Sequence, residues 1–258
     1  MKGNKKMDAQ GKKNVLVVGF GEIGKSVYNV IDKSGKYKLF KKDVEELELK
    51  EKIDVMHVCI PGIDNFVDVV AGYIAKYKPK LTIINSTVKP GTTQKIFEKA
   101  GGLIVHSPVR GRHPNLEDGI YKFVKFIGPT SAEAGKLAQE HFESIGVKTE
   151  MFKSAVNSEV GKLLCTTYYA MNIAFHQEMN RICDSYGADF AEAVTRFNAT
   201  MTMDIEHKIP RPVMFPGFIG GHCLIPNIMI LKKDVKSDFL DDILKSNEKR
   251  KKELEDAK

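Results

Sequence analysis

Cysteine is scarce in this sequence: Cys59, Cys165, Cys183 and Cys223 are widely separated and form no C-x-x-C pair. A disulfide framework is not expected, and a reduced, cytoplasmic setting fits that usage. Metal-ligand spacing is lacking as well. The seven histidines are scattered, and His222 directly beside Cys223 is poor ligand spacing, so no metal is expected. No apolar run approaches the roughly 20 residues that span a bilayer, which argues against a membrane partner. The basic start has no apolar stretch behind it and does not read as a signal peptide. A basic stripe with interleaved aromatics is also missing. The formal charge of +7 owes much to five lysines within the first thirteen residues, and the final twelve residues alternate in sign, as on a solvated helix face. Nucleic acid is not expected as a partner. There are no internal repeats.

What is present suits a globular chain. The 258 residues are 42% apolar and 28% charged, enough for one large domain or two smaller ones. Residues 1–13 read as a flexible basic tail. From residue 14 to 152 short β-branched runs alternate with helical spacing: NVLVV, then a helix, YKLF, DVMHVCIP, a helix over NFVDVVAGYIAKY, LTIINST, a helix over TTQKIFEKAG, GLIVHSPV, KFVKFIGP, and a helix over SAEAGKLAQEHFESIG capped by Ser131. This alternation predicts a parallel sheet covered on both faces. Past residue 150 the pattern changes. Ser154 to Gly187 contains no proline, and apolar residues recur at helical spacing, which predicts one helix of about 30 residues, roughly 45 Å long. A helix over DFAEAVTRFNAT, an irregular segment from Ile209 to Pro226 and a charged helix complete an all-helical domain over residues 153–258.

Gly19, Gly21 and Gly24 spell G-x-G-x-x-G between a strand and a helix, and an acid, Asp43, stands nineteen residues after the last glycine. That context is the dinucleotide fingerprint of a Rossmann-type domain. Gly19 permits the tight turn, Gly21 lets the backbone approach a pyrophosphate, and Gly24 lets helix and strand pack closely. Phe20, Glu22 and Ile23 complete the loop, and free N–H groups at the helix start hold the anion. Asp43 would accept bonds from ribose hydroxyls, favouring NAD, whereas Lys41 and Lys42 before it would suit the 2′-phosphate of NADP. The fold class is therefore α/β: an N-terminal Rossmann-type parallel sheet over residues 14–152, followed by an all-helical domain with one long helix.

The order GFGEIG, NSTVKPGTT, EVGKLL…MNIA, PGFIGGHC resembles the nucleotide-sugar 6-dehydrogenases of the UDP-glucose/UDP-mannuronate type, within the wider 6-phosphogluconate and 3-hydroxyacid dehydrogenase group. The resemblance runs from about residue 14 to 250. It implies oxidation of a primary alcohol to a carboxylate in two hydride transfers to NAD. The family's G-G-x-C cysteine falls on Cys223, whose thiolate would capture an aldehyde as a thiohemiacetal, later a thioester that water cleaves. The Glu-x-x-Lys stretch falls on Glu159 and Lys162, with Lys162 as acid/base or oxyanion stabiliser. The Ser-Thr-Val turn falls on Ser86, Thr87 and Val88, placing Ser86 and Thr87, with Pro61, beside the cofactor and giving Thr87 a catalytic part near the water. Asn172 and Arg211 match an asparagine and an arginine of the family. Substrate contacts are expected from Thr166, Arg211, Gly220, Gly221, His222 and Asn227.

Three positions depart from the family. The Ser-Pro-Glu turn reads Ser107-Pro108-Val109, and the positions of an asparagine and an aspartate hold Thr166 and Asn227. Glu159 or Asp118 is a candidate replacement for the missing carboxylate. A third domain that contributes much of the family's UDP grip is not in this sequence. In place of the lost turn, Arg110, Arg112 and His113 form a basic, donor-rich loop suited to phosphate or carboxylate. The expected function is an NAD(P)-dependent oxidoreductase acting on an alcohol of a polar, anionic, sugar-like small molecule. The alternative is a degenerate dinucleotide-binding protein without turnover, a redox sensor or a subunit of a larger complex. Cys223 reads either as the nucleophile or as a small packing residue. Cys59, Cys165 and Cys183 read as packing. Tyr168, Met171 and Phe175 read as core or dimer contacts, and the long helix suggests a homodimer.

Overall fold

The computed structural model describes residues 11–111, 114–202 and 211–256. Residues 1–10 of the expected basic tail, and Arg112 and His113 of the expected anion loop, lie outside the described residues. The chain divides into two compact units, Met1–Gly161 and Lys162–Lys258.

The first unit is built on a seven-stranded sheet. Its elements run β1 (Lys13–Val18), α1 (Glu22–Lys33), β2 (Tyr37–Lys42), β3 (Val55–Val58), α2 (Phe66–Tyr77), β4 (Leu81–Ile84), α3 (Thr92–Ala100), β5 (Ile104–His106), α4 (Leu116–Lys122), β6 (Lys125–Pro129), α5 (Ala132–Ser144) and β7 (Thr149–Met151). The strand order is β2-β1-β3-β4-β5-β6-β7. β1 shows why the run NVLVV becomes a central strand. Val15 and Val17 enter one apolar cluster with Val27, Val30 and Ile31 of α1 and Ala134, Ala138 and Phe142 of α5. Leu16 and Val18 enter the opposite cluster with Phe66 and Val70 of α2 and Ile96 of α3. A strand covered on both faces must be apolar at consecutive positions. The Ser131 cap of α5 is as expected, its hydroxyl accepting from Ala134 N at 3.2 Å.

Two strands depart from the expected parallel order: β6 runs antiparallel to β5, and β7, parallel to β6, shares the reversed sense. The cause lies in the connection. A parallel crossover must carry the chain back to the amino edge, and α4, with seven residues, is only about 10 Å long. Helix α4 has little local signal, with a glycine inside it. Tertiary contacts make it: Leu116 and Ile120 fill the α1-side core, and Glu117 accepts from Asn29 and pairs with Lys33 of α1.

The long helix α6 spans Ala155–Tyr186 (32 residues), and the unit boundary falls inside it. The helix expected over residues 189–200 begins as a π-helix, Ala191–Arg196, and continues as α7 (Phe197–Thr202). Two more helices follow, α8 (Leu224–Lys232) and α9 (Asp238–Asp256). α8 begins earlier than the proline-rich sequence suggested, because Pro226 sits in its first turn, where an N–H is not needed. Leu163, Ala170 and Ala174 of α6 form the second unit's core with Ile219, Ile228, Leu231, Leu240 and Ile243. Met171 packs against that core, whereas Tyr168 (61% exposed) and Phe175 (61% exposed) are not core residues. Cys165 is exposed rather than packed; Cys59 and Cys183 are buried. Among the described residues no helix is long and apolar enough to cross a membrane, and no group of three His, Cys, Asp or Glu could hold a metal ion.

Candidate functional site

Leaving β1, the chain moves to β2 on one side and later to β3 on the other, so a crevice opens at the carboxyl ends of β1 and β3, where open α/β sheets bind ligands. The glycine turn stands there. Gly19 has φ +85°, and its N–H donates to Lys42 O at 2.8 Å. A Cβ on Gly24 would lie 1.8 Å from Gly19 O, so no side chain fits at that position. Gly21 differs: it is the N-cap of α1 with ordinary φ −70°, no side chain caps the helix, and a Cβ there would meet nothing within 4 Å. The first turn of α1 therefore starts on an open surface, as anion binding requires.

The loop is fixed to the end of β2. Phe20 N–H donates to Asp43 Oδ1 at 3.1 Å, and the Phe20 ring stands edge-on to Tyr28 at 5.3 Å. Asp43 is exposed, and Ile23 packs against the core while Glu22 opens α1. Both lysines suited by charge to a 2′-phosphate are engaged. Lys42 is buried and donates to the carbonyls of Asp43 (2.7 Å), Val44 (3.3 Å) and Glu45 (2.7 Å); Lys41 lies over the Phe20 ring at 5.0 Å. Past β3, Pro61 is exposed; past β4, Ser86 is buried and its hydroxyl donates to Ile60 O at 2.6 Å. Thr87 follows, half-buried. The structure thus gathers Gly19–Gly24, Asp43, Pro61, Ser86 and Thr87 along one edge of the sheet.

Beneath that edge lies a buried polar chain that sequence reading missed. Lys125, at the start of β6, donates to Ser107 O (2.7 Å), Pro108 O (3.0 Å) and Asn85 Oδ1 (3.4 Å), tying the ends of β4 and β5 together. Asn85 then turns its amide nitrogen to His57 Nδ1 (3.1 Å), and His57 Nε2 meets His141 Nε2 at 2.9 Å. Burial, the neighbouring His141 and the Lys125 charge push the His57 pKa well below its usual value. Burial, with a smaller effect of Lys13, lowers that of His141 to about 3. Cys59 is a packing thiol, pushed up to about 12 by burial.

Glu159 is not available as a replacement carboxylate. It is 1% exposed, and its oxygens accept from Gly91 N (2.6 Å), Thr93 N (2.8 Å) and Thr93 Oγ1 (2.6 Å), capping α3. Asp118 is on α4 and pairs with Lys122 in an exposed i,i+4 contact. Arg110, half-buried after β5, holds its guanidinium over the rings of Phe123 (5.2 Å) and Phe126 (5.1 Å), which fixes the plane of its N–H fork.

The second unit holds Lys162, Thr166, Arg211, Gly220, Gly221, His222, Cys223 and Asn227. Cys223 is the N-cap of α8, half-buried, where helix N–H groups favour negative charge. Gly221 before it has φ +76°. Asn227, one turn into α8, donates from Nδ2 to Thr166 Oγ1 of α6 at 3.0 Å. Lys162 precedes Thr166 by four residues and so lies one turn away on the same face of α6. The two departures from the family pattern, Thr166 and Asn227, thus bond to each other. Asn172 donates within α6 to Tyr168 O at 2.8 Å, and Arg211 and His222 are exposed.

Residues 156–249 match a family model described as the UDP-glucose/GDP-mannose dehydrogenase family, central domain. A UDP-N-acetyl-D-mannosamine dehydrogenase of Pyrococcus horikoshii is 30% identical over 171 residues, covering 62% of this chain and 39% of that protein. A UDP-glucose 6-dehydrogenase of Rickettsia prowazekii is 27% identical over 188 residues, covering 67% and 42% respectively. The chain therefore spans less than half the length of these curated relatives. Among solved structures, the UDP-N-acetylmannosamine dehydrogenase of Pyrococcus horikoshii has a TM-score of 0.77 at 21% identity, over 92% of this chain and 68% of that one, a likeness of fold.

Proposed function

We propose, from the match of residues 156–249 to the central domain of the UDP-glucose/GDP-mannose dehydrogenase family, that the chain is an NAD-dependent oxidoreductase acting on an alcohol of an anionic, sugar-like substrate. The observation that carries the reading is the glycine turn. Gly24 is closed to any side chain, while Gly21, three residues earlier, faces open space at an uncapped helix start. Packing explains the first; only an approaching ligand gives the second a purpose. The cofactor, when bound, would accept the hydride; Gly19–Gly24 would hold its pyrophosphate, Asp43 its ribose, and Pro61, Ser86 and Thr87 would line its path. NAD is favoured over NADP because Lys42 is turned inward to three carbonyls and Lys41 lies on Phe20. Lys162 would take the alcohol proton, Thr87 would orient water, and Cys223 would capture the aldehyde. Arg110, stacked and oriented, would bind the substrate's phosphate or carboxylate, with Arg211, Thr166, Asn227 and the Gly220–His222 turn as further contacts.

Titration calorimetry of the full chain with NAD and NADP tests the nucleotide half. NAD is expected to bind about tenfold or more tightly than NADP, a difference of about 1.4 kcal/mol. Gly21→Ala is expected to weaken NAD by a similar factor yet lower the melting temperature by no more than a few degrees, since its Cβ meets no protein atom. Unchanged affinity in that variant would sink the reading. NADH absorbance with UDP-N-acetylmannosamine and UDP-glucose, the substrates in the relatives' names, tests the chemical half.

The assembly proposed is a homodimer through α6. Leu164, Tyr168, Phe175, Ile182 and Tyr186 recur at steps of four and seven and are 52, 61, 61, 49 and 84% exposed. A stripe of that spacing on one helix wants a matching helix. Light scattering should give twice the 28.9 kDa chain mass, and Tyr168→Glu should give the monomer. A monomeric wild type would refute it.

A further inference from the structure

The segment carrying Cys223 has no regular structure from residue 211 to 220, and two glycines separate its buried anchor, Ile219, from His222 and Cys223. The buried backbone polar groups of such a loop need partners, and α9, the charged C-terminal helix, supplies them at Ile219. Asn247 is 3% exposed. Its Oδ1 accepts from Ile219 N at 2.7 Å, and its Nδ2 donates to Ile219 O at 3.2 Å. One carboxamide thus pairs with both polar groups of one backbone residue, as a neighbouring strand would. Gln177 of α6, fully buried, adds a bond from Nε2 to Gly217 O at 2.7 Å and another to Asn247 Oδ1 at 3.3 Å. Its amide is oriented from behind, since Ser246 Oγ donates to Gln177 Oε1 at 2.9 Å. Burying two carboxamides is costly unless each bond is made, and these bonds converge on the loop. The other side of Cys223 is pinned as well, by the Asn227–Thr166 bond. The thiol therefore sits midway between two fixed points, four residues from each.

We propose that Asn247 is the positioning residue for the Cys223 thiol, reading the backbone of Ile219 and, with Gln177, setting the path of the glycine loop. The proposal rests on the reading of Cys223 as the reacting group, and it deepens that reading by tying the reacting loop to the C-terminal helix.

The test is site-resolved alkylation of the full chain with iodoacetamide, followed by peptide mass spectrometry, so that it does not depend on turnover. A positioned thiol is expected to react at a rate about threefold or more different from that of a synthetic peptide of residues 217–227, because its surroundings set its reactivity. In Asn247→Ala the Cys223 rate should move to the peptide's value, while exposed Cys165 keeps its own rate and the far-ultraviolet circular dichroism is retained. Gln177→Met should move Cys223 in the same direction by less, and it decides the matter if Asn247→Ala does not fold. If wild-type Cys223 already reacts as the peptide does, or if the variants leave its rate unchanged while Cys165 is also unchanged, the proposal is wrong. Absence of NADH production in the wild type would refute the dehydrogenase reading yet leave this comparison legible.

Discussion

Replacing Glu159 by alanine is expected to destabilise the first unit by about 4 kcal/mol, one of the largest single-residue effects in the chain. Helix α3 begins at Thr92 with Gly91 as N-cap, and glycine supplies no capping oxygen. The carboxylate that does the capping arrives from the first turns of α6 and accepts three hydrogen bonds at a site 1% exposed. Removing it leaves the buried Thr93 N–H and hydroxyl, and the half-buried Gly91 N–H, without this acceptor, and each buried group so left costs roughly 1–3 kcal/mol. The melting temperature should fall by about 10 °C. Glu159→Gln should recover part of the loss, because its single carbonyl oxygen can still accept while its amide faces other donors. An acid–base residue would behave oppositely, with Glu159→Gln stable and inactive. A Glu159→Ala variant that melts with the wild type would overturn the capping account.

Acidification from pH 7.5 to pH 5.0 is expected to destabilise the first unit through two buried histidines, by about 2 kcal/mol through His141 with a further loss through His57. The bonding order explains why neither accepts a second proton. Lys125 turns Asn85 Oδ1 toward itself, so the Asn85 amide donates to His57 Nδ1. His57 then carries its proton on Nε2 and donates to His141 Nε2. His141 is left with its proton on Nδ1, which has no partner among the described residues. A proton added to His57 Nδ1 would face the Asn85 amide, and one added to His141 Nε2 would face the His57 N–H. Both folded pKa values lie below the ordinary value, His141 at about 3. The unfolded chain takes up protons below roughly pH 6.5 while the folded one does not. Stability is therefore full above that pH and falls as pH drops toward the folded values. Urea midpoints at pH 7.5, 6.0 and 5.0 should show the slope, and His141→Gln should remove a large part of it. A midpoint independent of pH across that window would show that the pair is protonated in the native state.

The first unit was mostly legible because its signals are local. A strand covered on both faces needs consecutive apolar residues, and NVLVV supplies them. A glycine turn before a helix, with an acid after the next strand, needs no distant partner to be recognised, and Gly19–Gly24 with Asp43 stand as expected at the carboxyl edge. The length of α6 followed from 3.6-residue periodicity. Periodicity cannot say which of two apolar stripes is covered, so Leu163 and Leu164, neighbours in sequence, ended as 0% and 52% exposed. Nor could it foresee α4, whose helix depends on contacts to α1, or the reversal at β6.

The sequence by itself determined the doubly covered sheet, the dinucleotide turn and the long helix, because chain geometry and the burial of apolar side chains act over a few residues. Tertiary structure alone decided what the polar residues do. Glu159 became a cap rather than a replacement carboxylate, Lys42 an inward staple rather than a phosphate ligand, and Asn247 of a seemingly solvated helix the anchor of the Cys223 loop. A hydrogen bond is fixed by which donor and acceptor meet within about 3 Å, and that meeting is set by residues dozens of positions apart.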